Sequence, residues 1–337
     1  MRAHVRSFTL IAVTVAALGL GGPASPAHTV ALTIGVPGIP PSFLAVRAYV
    51  ALDRGLYARY TGKGARVSID PFPDGAAAAQ AVENGQVALA WVPTPVVLTE
   101  IARGEPLVAI EGMDRSDWEI GSTDPAITAC SELEGKTIGI DGIGDGRYDA
   151  LVAMLASCGL TPADVQTMSL PGSAGVNAQI SGQLTLDVEH WDEVAQVDAL
   201  GKHVTAVVRI GDVDPDGHFA MLVTTKNELA ANRALLVKLL EGDIAATRWL
   251  YAGGNRAAAT RIAQISGESR GVVAAAISHY VSENWWDLGS SGLTAQAITD
   301  TLTSELQSGV VPAQAGALTP ATIADTSVWQ AAQRGVG

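Results

Sequence analysis

Gly112-Met113-Asp114-Arg115-Ser116-Asp117 and Gly211-Asp212-Val213-Asp214-Pro215-Asp216-Gly217 are two polar runs that break an otherwise regular alternation of apolar segments. Upstream of the first, strand-like runs over 30–36, 66–72, 87–92 and 107–110 alternate with helix-like runs, and Gly85 and Gly104 stand where helix C-caps belong. Between the two runs the pattern repeats, with strands expected over 137–140, 165–170, 185–190 and 204–210. One more strand follows at 218–225, and the remainder is almost entirely helical. Strands alternating with helices imply parallel, helix-covered sheets. If the strand after the second run rejoins the first sheet, the middle block is an inserted lobe tied by two crossovers. The expected organisation is therefore a first lobe built from 28–114 and 218–337, a second from 115–217, and hinges near 112–117 and 211–217.

Composition narrows the function. The chain has 337 residues, 21 Lys and Arg against 34 Asp and Glu, a net charge of −13, 48% hydrophobic residues and 5% aromatic ones. That acidity offers no general attraction to phosphate, so a nucleic-acid partner is not expected. The apolar content is enough to bury a core, which excludes a disordered chain. Two cysteines cannot build a zinc cluster.

Arg2 and Arg6 precede an apolar run over 8–20, followed by Gly21-Gly22-Pro23 and Ala24-Ser25-Pro26-Ala27. A charged segment, a short apolar segment and small residues are the pattern of a cleaved secretory signal, and the run is too short to span a bilayer. Removing 27 residues and two arginines leaves a mature chain of 310 residues at −15. No cysteine follows the cleavage site to carry a lipid, so a free periplasmic protein is expected. In that compartment Cys130 and Cys158 can pair. Cys130 precedes the strand at 137–140, and Cys158 ends the helix that runs back antiparallel to it, so the two return to one end of the unit. The alternative is two buried thiols.

Catalytic and metal motifs fail on their details. Gly142-Ile143-Gly144-Asp145-Gly146 follows a strand and opens a helix, but it lacks the last glycine spacing of a dinucleotide fingerprint, and the next strand ends in Leu170-Pro171 rather than an acidic residue. What remains is a turn whose backbone N–H groups can approach a ligand at a helix N-terminus. Asp212, Asp214, Asp216 and Gly217 match the start of a calcium loop, but Val223 stands where a bidentate Glu is required. His190, His203, His218 and His279 have no metal spacing, and Gly289-Ser290-Ser291-Gly292 is a turn rather than a nucleophile elbow. No cofactor, metal or enzymatic chemistry is expected. The scarce aromatics are more informative. Phe72, Trp91 and Trp191 fall at strand ends, where open α/β sheets bind ligands; Phe72 is read as core, and Trp91 and Trp191 as a clamp between lobes.

Gly55-Leu56-Tyr57 with Gly64-Ala65-Arg66-Val67, Gly75 with the run over 81–90, the run over 133–139 and Gly159-Leu160-Thr161-Pro162-Ala163-Asp164-Val165 occur in an order that resembles the bacterial solute-binding proteins of the alkanesulfonate, taurine, nitrate and thiamine-precursor class. The resemblance implies a type II periplasmic-binding-protein fold, α/β with two mostly parallel sheets and extra C-terminal helices on the first lobe. It also implies a small-molecule solute, a monomer, and an ABC importer permease as partner. Carried onto this chain, the family's ligand positions are Pro40 to Ser42, Asp74 and Gly75, Trp91 with Thr94, Asp141 to Gly146, Ser173 with Ala174, and Trp191 with Asp192. Trp91 and Trp191 would stack; Ser42, Thr94 and Ser173 would hydrogen-bond; Gly144 and Gly146 would supply backbone donors. No Arg stands clearly at a strand end, while Asp74, Asp141, Asp145 and Asp192 crowd the cleft. Such a cleft disfavours an anion and points to a neutral or cationic ring-bearing ligand such as a thiamine-type pyrimidine, with sulfonate or nitrate as the alternative. An enzyme or a sensory ligand-binding protein on the same fold is the rival.

Overall fold

The computed structural model describes residues 29–113, 115–214, 219–286, 288 and 292–336. The expected signal segment, Asp216, Gly217 and His218 of the second crossover, and Gly289, Ser290 and Ser291 of the late turn lie outside the described residues. Among the described residues there are ten strands: β1 Val30–Pro37, β2 Ala65–Phe72, β3 Leu89–Pro93, β4 Leu107–Met113, β5 Glu119–Ser122, β6 Thr137–Ile140, β7 Gln166–Ser169, β8 Leu186–Glu189, β9 Thr205–Arg209 and β10 Ala220–Thr225. They form two five-stranded sheets, ordered β2-β1-β3-β10-β4 and β7-β6-β8-β5-β9. β10, the strand after the second crossover, does return to the first sheet.

Each sheet contains one strand antiparallel to both of its neighbours. β10 runs between β3 and β4, and β5 between β8 and β9. Both are the first strand after a crossover, so each crossover is gripped on arrival by hydrogen bonds from two sides. β5 is additional to the strands expected from the sequence, whose second block begins with the strand at 137–140. Of its four residues only Ile120 is strongly apolar, yet all four are buried, because the strand is held by β8 and β9 rather than by its own propensity. The second crossover also departs from expectation: Ile210–Val213 is a helical turn rather than loop.

Helices cover both faces of the first sheet, which is why its strands read as continuous apolar runs. On one face Leu32, Ile34, Leu89, Trp91, Ile110 and Leu222 pack against residues of helices Val46–Asp53 and Lys226–Tyr251. On the other, Ala90, Val92, Ala109, Met221 and Val223 pack with residues of helices Gly75–Glu83, Thr94–Arg103 and Ala295–Ser308. The helix Lys226–Tyr251 follows β10 and gives the first lobe most of its added bulk. No helix among the described residues is long and apolar enough to cross a membrane.

Cys130 and Cys158 are joined, with Cα atoms 5.3 Å apart. Cys130 opens a short 3-10 turn before β6, and Cys158 caps the helix Gly146–Ser157, so the strand and its returning helix bring the two together. The bridge closes a loop of sequence separation 28. In the chain-entropy account such a loop stabilises by about 3 to 4 kcal/mol. The double variant C130S/C158S is expected to lose that amount in urea unfolding, and thiol titration of the unfolded, unreduced wild type is expected to find no free group.

Candidate functional site

A cavity of about 220 Å³ lies between the two sheets, at the carboxyl ends of their parallel strands. From the first lobe it is lined by the turn after β1 (Pro37 to Ser42), the turn after β2 (Pro73 to Gly75), Pro93 after β3, and Ser266 to Glu268 between two C-terminal helices. From the second come Asp141 and Asp145 to Arg147 after β6, Gly172, Ser173 and Asn177 after β7, and His190, Asp192, Glu193 and Gln196 after β8. This is where open α/β sheets place ligands, because each strand-to-helix turn ends on free backbone N–H groups.

The aromatic floor comes from the crossovers themselves. Trp118 directly precedes β5 and Phe219 directly precedes β10. The Trp118 ring stacks on His190 at 3.4 Å between centroids, and Phe219 meets Trp118 edge-on at 5.5 Å. The Arg147 guanidinium lies 4.8 Å from the centre of the same indole.

Arg147 is the cation the sequence reading did not find. It sits in the first turn of helix Gly146–Ser157 and is 5% exposed. Its Nε donates to Asp141 Oδ1 at 3.0 Å, its two terminal nitrogens donate to the Glu193 carboxylate at 3.0 and 2.6 Å, and Nη1 also donates to the Val188 carbonyl. Burial opposes its charge, but the Asp141 and Glu193 carboxylates outweigh this and hold it firmly protonated. Two carboxylates therefore already neutralise the arginine before any ligand arrives.

Ten of the positions singled out from the sequence meet at this cavity: Pro40, Pro41, Ser42, Asp74, Gly75, Asp141, Asp145, Gly146, Ser173 and Asp192. Trp91, Thr94, Gly144 and Trp191 do not line it. Trp91 shares its strand face with Leu89 and is 2% exposed; its ring lies under the Arg47 guanidinium at 4.9 Å, and Arg47 is paired with Glu111 at 2.8 Å. Thr94 is fully buried behind Pro93, with its N–H donating to the Phe219 carbonyl at 3.3 Å. Gly144 lies in the turn with φ +87°, set back from the wall. Trp191 faces away and stacks flat on His279 at 4.1 Å, beside a separate hollow. The clamp of two tryptophans is thus not formed; Trp118, His190 and Phe219 supply the flat surface instead. Phe72 packs against the core, as expected. Asp187 and Glu189 are buried and do not line the cavity. Among the described residues no group of three or more His, Cys, Asp or Glu could hold a metal.

The carboxylates do crowd the cleft, but their states differ. Asp74 caps the helix Gly75–Glu83, accepting from the Ala77 N–H at 2.8 Å. Asp145 accepts from the Gly146 N–H at 2.8 Å, and burial together with the Asp141 charge pushes its pKa up to about 7. It also accepts from the Gly75 N–H of the opposite lobe. A Cβ at Gly75 would lie 2.1 Å from Pro93 Cδ within the same lobe, so glycine is required there; across the cleft it would lie 3.1 Å from Asp145 Oδ1, a tight contact only.

A second cross-lobe contact centres on Tyr280. Its Oη lies 2.6 Å from Asp117 Oδ2 and 2.5 Å from Asp192 Oδ1. One hydroxyl proton cannot serve two carboxylates, so one acid carries a proton. Burial and the neighbouring Glu268 raise Asp192 well above the usual range. Asp117, despite burial, is lowered by His190, whose Nδ1 is 2.6 Å from Asp117 Oδ1. Asp192 is therefore the protonated partner. His190 is in turn held above its ordinary value, because the Asp117 charge outweighs the opposing effect of burial.

This geometry defines a class: two α/β lobes, each a five-stranded sheet with one antiparallel strand, enclosing a small cavity at their strand ends, which is the type II periplasmic-binding-protein fold. Residues 45–255 match the family described as NMT1/THI5 like, and the chain belongs to that family. A solved structure from Bordetella bronchiseptica RB50 superposes with a TM-score of 0.75 at 19% identity, covering 91% of this chain and 98% of that one. The alkanesulfonate-binding protein SsuA of Xanthomonas axonopodis pv. citri, bound to MOPS, gives 0.73 at 18% identity, covering 90% and 100%. The periplasmic nitrate-binding protein NrtA of Synechocystis PCC 6803 gives 0.71 at 14% identity, covering 91% and 89%. No curated protein matches the sequence.

Two outcomes follow from the charges. Arg147→Met leaves Asp141 and Glu193 buried without their cation and is expected to cost about 3 to 5 kcal/mol. Urea unfolding of the variant beside the wild type measures it. Asp145 has a folded pKa above its unfolded one, so its contribution is fully present below about pH 4 and is lost as pH rises toward 7. Asp145→Asn should therefore match the wild type at pH 4 and exceed it at pH 8, by at most about 4 kcal/mol.

Proposed function

We propose that this chain is the extracytoplasmic solute-binding subunit of an ABC importer, exported by the segment at 1–27 and released as a free periplasmic monomer. The observation that carries this is the cavity of about 220 Å³ enclosed by the strand ends of both sheets, with a floor supplied by the two crossovers. A ligand lying on Trp118 and Phe219 touches the chain where the lobes pivot, so its binding favours the closed state through contacts with both lobes at once. Flexing is assigned to 112–117 and 211–217, and the permease is the partner that receives the closed form. We read the chain as a binding protein rather than an enzyme, because similar solved structures include an alkanesulfonate-binding and a nitrate-binding protein.

The ligand we favour is a neutral or cationic compound with one flat ring, of the thiamine-pyrimidine kind. Support comes from the stacked Trp118 and His190, and from Arg147 being matched by Asp141 and Glu193. A sulfonate or nitrate is the second reading, favoured by the presence of any arginine in the cavity and by the two helix N-termini at Gly75 and Gly146.

Titration with a panel of small solutes, followed by tryptophan fluorescence and X-ray scattering, tests this. At least one solute is expected to change the emission and reduce the radius of gyration, and Trp118→Phe should remove most of the emission change. A panel spanning pyrimidines, amines, sulfonates and nitrate that produces neither compaction nor emission change would overturn it.

A further inference from the structure

We propose that the turn Ser266-Gly267-Glu268, facing Asp192 across the cavity, is the subsite that reads a cationic nitrogen of the solute, an amidinium or protonated amine whose N–H groups donate to Glu268 and Ser266. This rests on the solute-binding reading above and deepens it by naming the ligand's charge and the residues that recognise it.

Around the cavity, Asp141 and Glu193 are bound to Arg147, Asp74 to the Ala77 N–H, and Asp145 to the Gly146 N–H. Ser266 and Glu268 line the same cavity; Ser266 Oγ has no hydrogen-bond partner and Glu268 Oε2 receives no N–H or hydroxyl donor, the one hydrogen bond of that carboxyl being with the Asp192 carboxyl. Ser266 as a whole is only 8% exposed. A buried polar atom without a partner is costly; the Ser266 hydroxyl can accept or donate, whereas an ionised Glu268 can only accept, so this wall favours a group that presents N–H donors. An anion would bring only further acceptors to this wall.

The surroundings of Glu268 decide how charge is handled. Asp192 and Glu193 face it from helix Trp191–Ala199, and Asp192 is hydrogen-bonded to it; behind Asp192 stand Tyr280, Asp117 and His190. Burial pushes Glu268 up to about 7. The Asp192 proton is committed to Tyr280, so the hydrogen bond between the two carboxyls needs a second proton, carried by Glu268, and it is this proton that a cation displaces. The cation replaces one positive charge by another, and the proton leaves to solvent. Binding of a cation should then strengthen as pH rises through neutrality, whereas binding of a neutral isostere should not. The turn also lies beyond residues 45–255, so this recognition belongs to a segment outside the family-matched region.

Benzamidine, benzamide and benzoate share one shape and carry charges of +1, 0 and −1 near neutral pH, and benzamidine keeps its charge throughout the range used. Calorimetric titration of the full chain is expected to rank them in that order, with benzamidine affinity rising about tenfold from pH 6 to pH 8 and benzamide affinity flat. Glu268→Gln should flatten the benzamidine rise, and Ser266→Ala should weaken benzamidine about fivefold. Asp145→Asn, which removes the cavity's other acid titrating near neutrality, should keep the rise. Thermal melts of each variant separate loss of binding from loss of fold.

Preference for benzoate, a pH profile unaltered in a folded Glu268→Gln variant, or a profile flattened by Asp145→Asn instead would each overturn the subsite while leaving solute binding intact. Failure of all three probes also overturns it, and the solute panel then decides separately whether the chain binds solutes at all.

Discussion

The buried guanidinium of Arg147 organises the second lobe's share of the cleft. It ties the turn after β6, through Asp141, to the helix after β8, through Glu193, and it reaches the β8 backbone at Val188. These three points are the ones that must keep their spacing if the carboxyl ends of β6 and β8 are to form one wall. The same cation presses on the Trp118 ring, so the last residue before β5 is positioned by it as well. A charge this deeply buried is tolerated only because its donors are nearly all used, and that full use fixes the geometry.

The contrast with the acids opposite is instructive. Asp141 and Glu193 are hydrogen-bonded to Arg147, although burial still raises Asp141, whereas Asp145, Asp192 and Glu268 are bound by no arginine and are raised as well. One cavity thus contains two kinds of carboxyl group, distinguished by neighbours rather than by residue type. The first kind builds the wall; the second kind bridges the lobes through Gly75 and Tyr280. A cleft that looked uniformly acidic in sequence is, in structure, a neutralised frame around a small protonatable centre.

The alternation of strand and helix was legible because parallel strands buried on both faces read as unbroken apolar runs. The same property hid the orientation of Trp91: when both faces of β3 are covered, period two cannot say which face looks toward a ligand. β5 escaped because Glu119-Ile120-Gly121-Ser122 carries almost no strand signal of its own. The disulfide could be anticipated, since strand and returning helix bring Cys130 and Cys158 to one end. Arg147 could not, because its partner Glu193 is 46 positions away and nothing local reveals the pairing. Trp118 and Phe219 offered a usable signal, each lying beside a polar crossover, but that signal belongs to residues a strand-end argument does not examine. Ser266 and Glu268 sit in a helical region where no periodicity marks a binding turn.

The position of β10 has a consequence for the order of assembly. β3 and β4 are separated by β10 in the sheet, yet β10 is the last strand of the chain to be made. The first lobe must therefore wait with an open seam while the whole second lobe is synthesised, and all five strands of that second sheet lie in one continuous stretch that can close without it. During synthesis the lobe that starts first finishes last, and its unfilled seam is the surface a chaperone would have to guard.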